Sequence, residues 1–100
     1  MSYHVEFALK ARMQLIALRR YIARENSSAV AREFVGGLVE QCAKLCEFPH
    51  RGSPRDDIRP GVRTIAYRRR ATIAYTVKED QVIILAISYG GQDTAALLEH

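Results

Sequence analysis

IRPGVRTIAYRRRATIAY, residues 58–75, decides how this chain is read. From Val62 onward the side chains alternate with a period of two, the mark of a β-strand. The stretch holds five arginines and no acid. A solvated surface strand mixes its signs. A segment that repels itself points to an anionic partner.

Working outward from it, the same period continues. VRTIAY (62–67), ATIAYTV (71–77) and VIILAIS (82–88) read as three strands. Arg68–Arg70 and Lys78–Gln81 connect them, and both links are short enough for antiparallel hairpins. The middle strand places Ile73, Tyr75 and Val77 on one face and Thr72, Ala74 and Thr76 on the other. The last strand is apolar on both faces, so it is expected to be central or covered on both sides. SYGGQDTAAL then gives a glycine turn and one helical turn.

Upstream the period changes. YHVEF (3–7) alternates and reads as a short first strand. Ala11, Leu15, Leu18 and Ile22 form one face of a helix over 8–25. ENSS interrupts it, with Asn26 or Ser27 as the cap of the next helix. Ala31, Phe34, Leu38, Cys42 and Leu45 form the second stripe, which ends before Pro49, Gly52 and Pro54. Gly36 and Gly37 weaken that helix by about 1 kcal/mol each relative to Ala, and close packing against a neighbour is the expected reason for both. Two apolar stripes on a short link make an antiparallel helical hairpin. The order is β-α-α-β-β-β, an α+β domain with the hairpin on one face of a small, mainly antiparallel sheet.

One hundred residues, 48% hydrophobic and 26% charged, allow one domain with one core. No apolar run approaches the ~20 residues of a membrane span. MSYHVEF shows no signal peptide, so Cys42 and Cys46 are expected to be reduced thiols and the protein cytoplasmic. No metal site is expected, because His4, His50 and His100 are scattered and the cysteines lack a second pair. No cofactor motif is present. The terminal Leu98–Glu99–His100 resembles the start of an expression tag and is set aside.

The net charge is +4, but residues 51–70 carry seven arginines and two acids, a local +5. Arg51 and Arg59 lie on the loop before the sheet, Arg63 on the first hairpin strand, and Arg68, Arg69 and Arg70 at the turn. If the loop folds back over the sheet edge, all of them converge. Each alone reads as a solvated surface residue; together they read as a binding surface. Tyr89, just past the central strand, is free to reach a ligand. No acid pair, Ser/His/Asp set or phosphate loop is present. Chemistry here would rest on arginine charge and tyrosine or lysine proton transfer.

At this point the residues carry a resemblance. The β-α-α-β-β-β order, the loop Pro49–His50–Arg51–Gly52, and Arg59, Gly61, Arg63, Ile73, Tyr75, Val77 and Asp93 in sequence resemble the ParE/RelE toxin superfamily of bacterial type II toxin–antitoxin modules, its ParE-like branch above all. The resemblance spans residues 1–97 as a single toxin domain. It implies a cognate antitoxin in a hetero-oligomeric complex, with an acidic segment on the arginines and apolar anchors at Tyr21, Ile22 and Phe34. ParE-like members poison DNA gyrase. RelE-like members cut messenger RNA on the ribosome, and in that case Arg63 and Tyr89 would be catalytic. Thr72 and Gly91–Gln92 stand where RelE-like members place arginines, so the resemblance favours gyrase and a binder over a nuclease. Tyr89 departs from the ParE pattern, where His is common, and Gln92 replaces the usual Arg before Asp93. A basic binding protein without toxicity is the alternative that charge alone supports.

Overall fold

The computed structural model describes residues 3–98. It holds β1 (His4–Phe7), α1 (Leu9–Glu25), α2 (Ser28–Ala43), β2 (Ser53–Pro54), β3 (Val62–Tyr67), β4 (Ala71–Lys78), β5 (Gln81–Tyr89) and α3 (Thr94–Leu98). The five strands form one sheet in the order β1-β5-β4-β3-β2. β1 runs parallel to β5, and every other pairing is antiparallel.

The helical hairpin forms where the two apolar stripes place it. Leu18 and Ile22 of α1 meet Phe34, Leu38 and Cys42 of α2 over Ile73, Tyr75 and Ile84 of the sheet. Ser27 caps α2, its Oγ accepting the Val30 N–H at 3.1 Å. Asn26, the other expected cap, instead closes α1 by donating its N–H to the Ile22 carbonyl. Leu45 lies beyond the end of α2, in a 3-10 turn over Lys44–Cys46, and is fully buried there.

β5 lies between β1 and β4, as its two apolar faces require, with β1 reaching along it only as far as Ile84. Its alternation is broken once. Ala74 pairs with Ala86 and Tyr75 with Ile84, leaving Leu85 as an extra residue. Such a bulge flips the pleat. Val82 and Ile84 therefore face the helices before it and Ile87 after it, while Ala86 turns to a second small cluster with Val62 and Ala74. Leu97 and Leu98 of α3 pack against that second cluster. Of the terminal residues set aside as a tag, Leu98 thus ends α3, and Glu99 and His100 lie outside the described residues.

The sheet has one strand more than expected. Ser53 and Pro54 pair with Thr64 and Arg63. A two-residue edge strand containing proline has no period to read, so only its partner reveals it. Gly52 makes the close approach possible. A Cβ there would stand 2.9 Å from the Thr64 carbonyl and 2.6 Å from the Tyr75 hydroxyl.

Candidate functional site

The arginines fall into two groups at opposite ends of β3. The loop does fold back over the sheet edge, but it converges on the start of β3 and not on the arginine turn. Arg63 shares the helix-side face with Ile65 and Tyr67, as its parity implies. Its guanidinium is committed: Nη1 donates to the His50 carbonyl at 3.0 Å and the Gly52 carbonyl at 2.7 Å. Gly52 in turn donates its N–H to the buried Tyr75 hydroxyl at 2.9 Å. Arg51 and Arg63 both bring positive charge to Tyr75, yet burial dominates and pushes that phenol above its usual range. Arg51 and Arg59 themselves are exposed.

The two acids of the basic block are spent inside their own loop. Arg55 grips Asp57 through Nε and Nη2, both at 3.0 Å. That hydrogen bond holds the Asp57 carboxyl below its ordinary value. Asp56 accepts the N–H of Gly61, whose φ of 85° needs glycine. Arg59 makes no ion pair among the described residues.

At the other end stand Arg68, Arg69 and Arg70, all exposed. Arg68 and Arg69 have φ of 51° and 58°. The Arg70 N–H donates to the Tyr67 carbonyl, so Arg68 and Arg69 are the central residues of a type I′ turn inside this three-residue connection, positions that asparagine and glycine usually fill. Arg68 reaches Glu33 at 3.3 Å and lies 5.3 Å above the Tyr67 ring. The Arg70 carbonyl accepts the Gly90 N–H, which ties the turn to the end of β5.

An aromatic row runs between this turn and α1. Tyr21 meets Tyr89 edge-on at 6.0 Å, Tyr89 meets Phe34 at 5.7 Å, and Phe34 meets Tyr67 at 5.2 Å. Tyr21 and Tyr89 separate two concavities. The larger, about 590 Å³, lies between α1 and the segment after β5, with Arg24, Gly91 and Gln92 on its walls. The smaller, about 120 Å³, is lined by Tyr89, Phe34 and Arg70. Tyr89 is half-buried and faces both. Of the three expected apolar anchors, Tyr21 is 45% exposed, while Ile22 and Phe34 are 5% and 6% exposed and spend their surface in the core. Among the described residues no cluster of His, Cys, Asp and Glu is placed to hold a metal, and no helix is long and apolar enough to cross a membrane. Cys42 and Cys46 are free thiols.

The model of the ParE toxin of the type II toxin–antitoxin system parDE matches residues 5–94. The chain belongs to this toxin family. A chain of the chromosomal ParDE TA system from P. aeruginosa has the same architecture, with a TM-score of 0.79 and 26% identity over 89% of this chain and 97% of that one. The toxin–antitoxin complex RelBE2 from Mycobacterium tuberculosis shares the fold at a TM-score of 0.64, with 24% identity over 89% of this chain and 99% of that one. A mutant of E. coli toxin RelE in the free state shares it at 0.65, with 16% identity over 96% of this chain and 92% of that one. No curated protein matches the sequence.

Within this toxin fold, Thr72 is half-buried on the sheet face away from the hairpin, and Gly91 and Gln92 are exposed in the turn after β5. Sequence reasoning missed Arg24, Gln14 and Gln92 as cleft residues. Arg24 lies in the helix, 46 residues before Arg70, and no local pattern links them. Tyr67 reads from the sequence as a core or sheet-face residue and is buried, but its partner Phe34 lies across the fold and no local pattern names it.

Proposed function

We propose that the protein is a toxin that poisons DNA gyrase and is silenced by a cognate antitoxin. The match to the ParE toxin family over residues 5–94 carries this reading. Two features support it. Thr72 and Gly91–Gln92 occupy the places where RelE-like relatives use arginines, and phosphoryl transfer without such cations loses its main electrostatic stabilisation. Arg63, the candidate catalytic arginine of the ribonuclease reading, is engaged with two backbone carbonyls.

On this reading the exposed Arg51 and Arg59 and the turn Arg68–Arg70 are the contact surface for an anionic partner, and Tyr21 and Tyr89 add aromatic contacts at its border. Arg63 holds the loop that presents Arg51. The antitoxin's acids and the target compete for this charge, so neutralisation needs no change in the toxin's fold.

The test uses the purified, antitoxin-free chain with gyrase, ATP and plasmid. Supercoiling is expected to fall with dose while linear DNA accumulates. Normal supercoiling at excess protein overturns the reading. One observation favours a second reading, ribosome-dependent RNA cleavage: Tyr89 and Arg70 line one small cavity together. Codon-linked cuts in messages after induction, abolished by Tyr89→Phe, would establish it.

A further inference from the structure

β5 outruns its parallel neighbour. β1 pairs with it only from Gln81 to Ile84, whereas β5 continues to Tyr89. The chain leaves the sheet at Ala8, which donates its N–H to the Ile84 carbonyl, and turns into α1. Past Ile84 this side of β5 has no strand beside it.

The ladder with β4 sets which amides point there. The Gly90 N–H crosses to the Arg70 carbonyl. In an antiparallel pair, direction alternates along the strand, so Tyr89 and Ile87 point away from β4. Both N–H groups are met by glutamine side chains. Ile87 donates to Gln14 Oε1 at 2.6 Å, and Tyr89 donates to Gln92 Oε1 at 2.8 Å. Gln14 reaches down from α1 and Gln92 folds back from the turn after β5. Each side-chain amide stands in for a peptide carbonyl. Together they occupy residues i and i+2, the two amides that a neighbouring strand would engage.

Above this edge lies the cleft of about 590 Å³, within the usual range of ligand sites. Ala17, Tyr21 and Arg24 form one wall, Gly90 and Gly91 the other, and no acid lines it. A Cβ at either glycine would meet nothing within 4 Å, so the space beside that wall is open. Exposed edges invite pairing, and proteins commonly shield them with charge or proline. Here the shield is two hydrogen bonds that another carbonyl can replace.

We infer that the β5 edge is a strand-docking site for an extended acidic segment of the antitoxin. The segment adds to the sheet in line with β1. Its backbone carbonyls displace Gln14 and Gln92 from the Ile87 and Tyr89 amides, and a carboxylate meets Arg24. Backbone pairing of this kind supplies affinity, and the side-chain pockets supply choice. The charge selects the occupant. A second copy of this chain would bring another arginine-rich surface to Arg24, whereas an acidic segment complements it. The inference rests on the toxin–antitoxin reading above.

The experiment compares amide hydrogen exchange of Ile87 and Tyr89 in the isolated toxin and in its co-expressed complex with the cognate antitoxin. In the complex both amides are expected to exchange at least about tenfold more slowly, with cross-strand contacts to the antitoxin backbone. The double variant Gln14→Ala, Gln92→Ala is expected to bind the antitoxin within about twofold of the native chain or more tightly, because the displaced caps add nothing to the complex. A complex in which those two amides keep their exchange rates and shifts overturns the docking site and leaves the antitoxin reading standing. A loss of about tenfold or more in the glutamine variant, worth about 1.4 kcal/mol, makes the glutamines contact residues and overturns their displacement. Failure to form any complex overturns both readings.

Discussion

Gly36 and Gly37 stand side by side in α2 and do different work. A Cβ at Gly36 would meet nothing within 4 Å, whereas one at Gly37 would strike the Tyr67 hydroxyl. Tyr67 is packed against Phe34, so its ring cannot swing aside freely. Gly36→Ala is expected to raise unfolding free energy by about 0.5–1 kcal/mol through helix propensity; Gly37→Ala is expected to lower it by about 1–3 kcal/mol through overpacking. Urea melts of the two variants check both signs. The sequence assigns close packing to both glycines, and only the position of Tyr67 across the fold separates them. A second residue-scale effect is pH dependence. Burial pushes the Cys42 thiol from 9.0 up to about 12. A raised pKa means the folded state holds its proton while the unfolded chain releases it. Its contribution is therefore complete below pH 9 and is lost as pH rises from 9 toward 12, at up to about 1.4 kcal/mol per pH unit. Tyr75, also raised by burial, adds to the same alkaline loss above pH 10. Stability measured from pH 8 to 11 is expected to fall less steeply in Cys42→Ala than in the native chain. Equal slopes would remove the thiol as the cause.

At the scale of elements, the β3–β4 turn is the conflict worth testing. Left-handed backbone costs a non-glycine residue about 1–2 kcal/mol, and Arg68 and Arg69 both adopt it. Their like charges add to that cost. The exposed Arg68–Glu33 pair returns no more than about 1 kcal/mol. Replacing the pair by Asn–Gly is expected to raise stability by about 1–2 kcal/mol while weakening antitoxin binding, measured by melting and by titration calorimetry. A stabler variant that binds as well as the native chain would leave the arginines without a binding role. Elements were legible where a period or a turn residue marks them. Both helices, three hairpin strands and the first strand follow from spacings of four, three and two. β2 and the bulge at Leu85 do not. Two residues carry no period, and an apolar run such as VIILAIS hides the point at which its pleat reverses. The bulge matters for the site, since it turns Ile87 to the helix side beside the cleft.

For the whole molecule, charge was legible in sequence because it is concentrated in one fifth of the chain, but its distribution was not. The length of β3 decides that. Arg63 and Arg68 are five residues apart on an extended strand, about 17 Å at ~3.3 Å per residue. At physiological salt the screening length is about 8 Å, so the groups at the two ends of β3 act on a partner independently. Their substitutions are then expected to add. Arg51→Ala with Arg59→Ala removes one exposed group, and alanine at Arg68, Arg69 and Arg70 removes the other. Each set should weaken binding to an acidic antitoxin and flatten its salt dependence, and the two free-energy losses should sum to within about 0.5 kcal/mol. Coupling well beyond that would mean that one carboxylate cluster bridges both ends. Arg63 serves as the control within the same block. It clamps Gly52 and His50 rather than facing solvent, so Arg63→Ala is expected to cost about 1–3 kcal/mol of stability by stripping those carbonyls. Its effect on binding should shrink once the folded fraction is accounted for. If Arg63→Ala weakens binding at full folding and leaves the melting curve unchanged, then the two ends form one surface through Arg63, and the division of the charge into two independent groups fails.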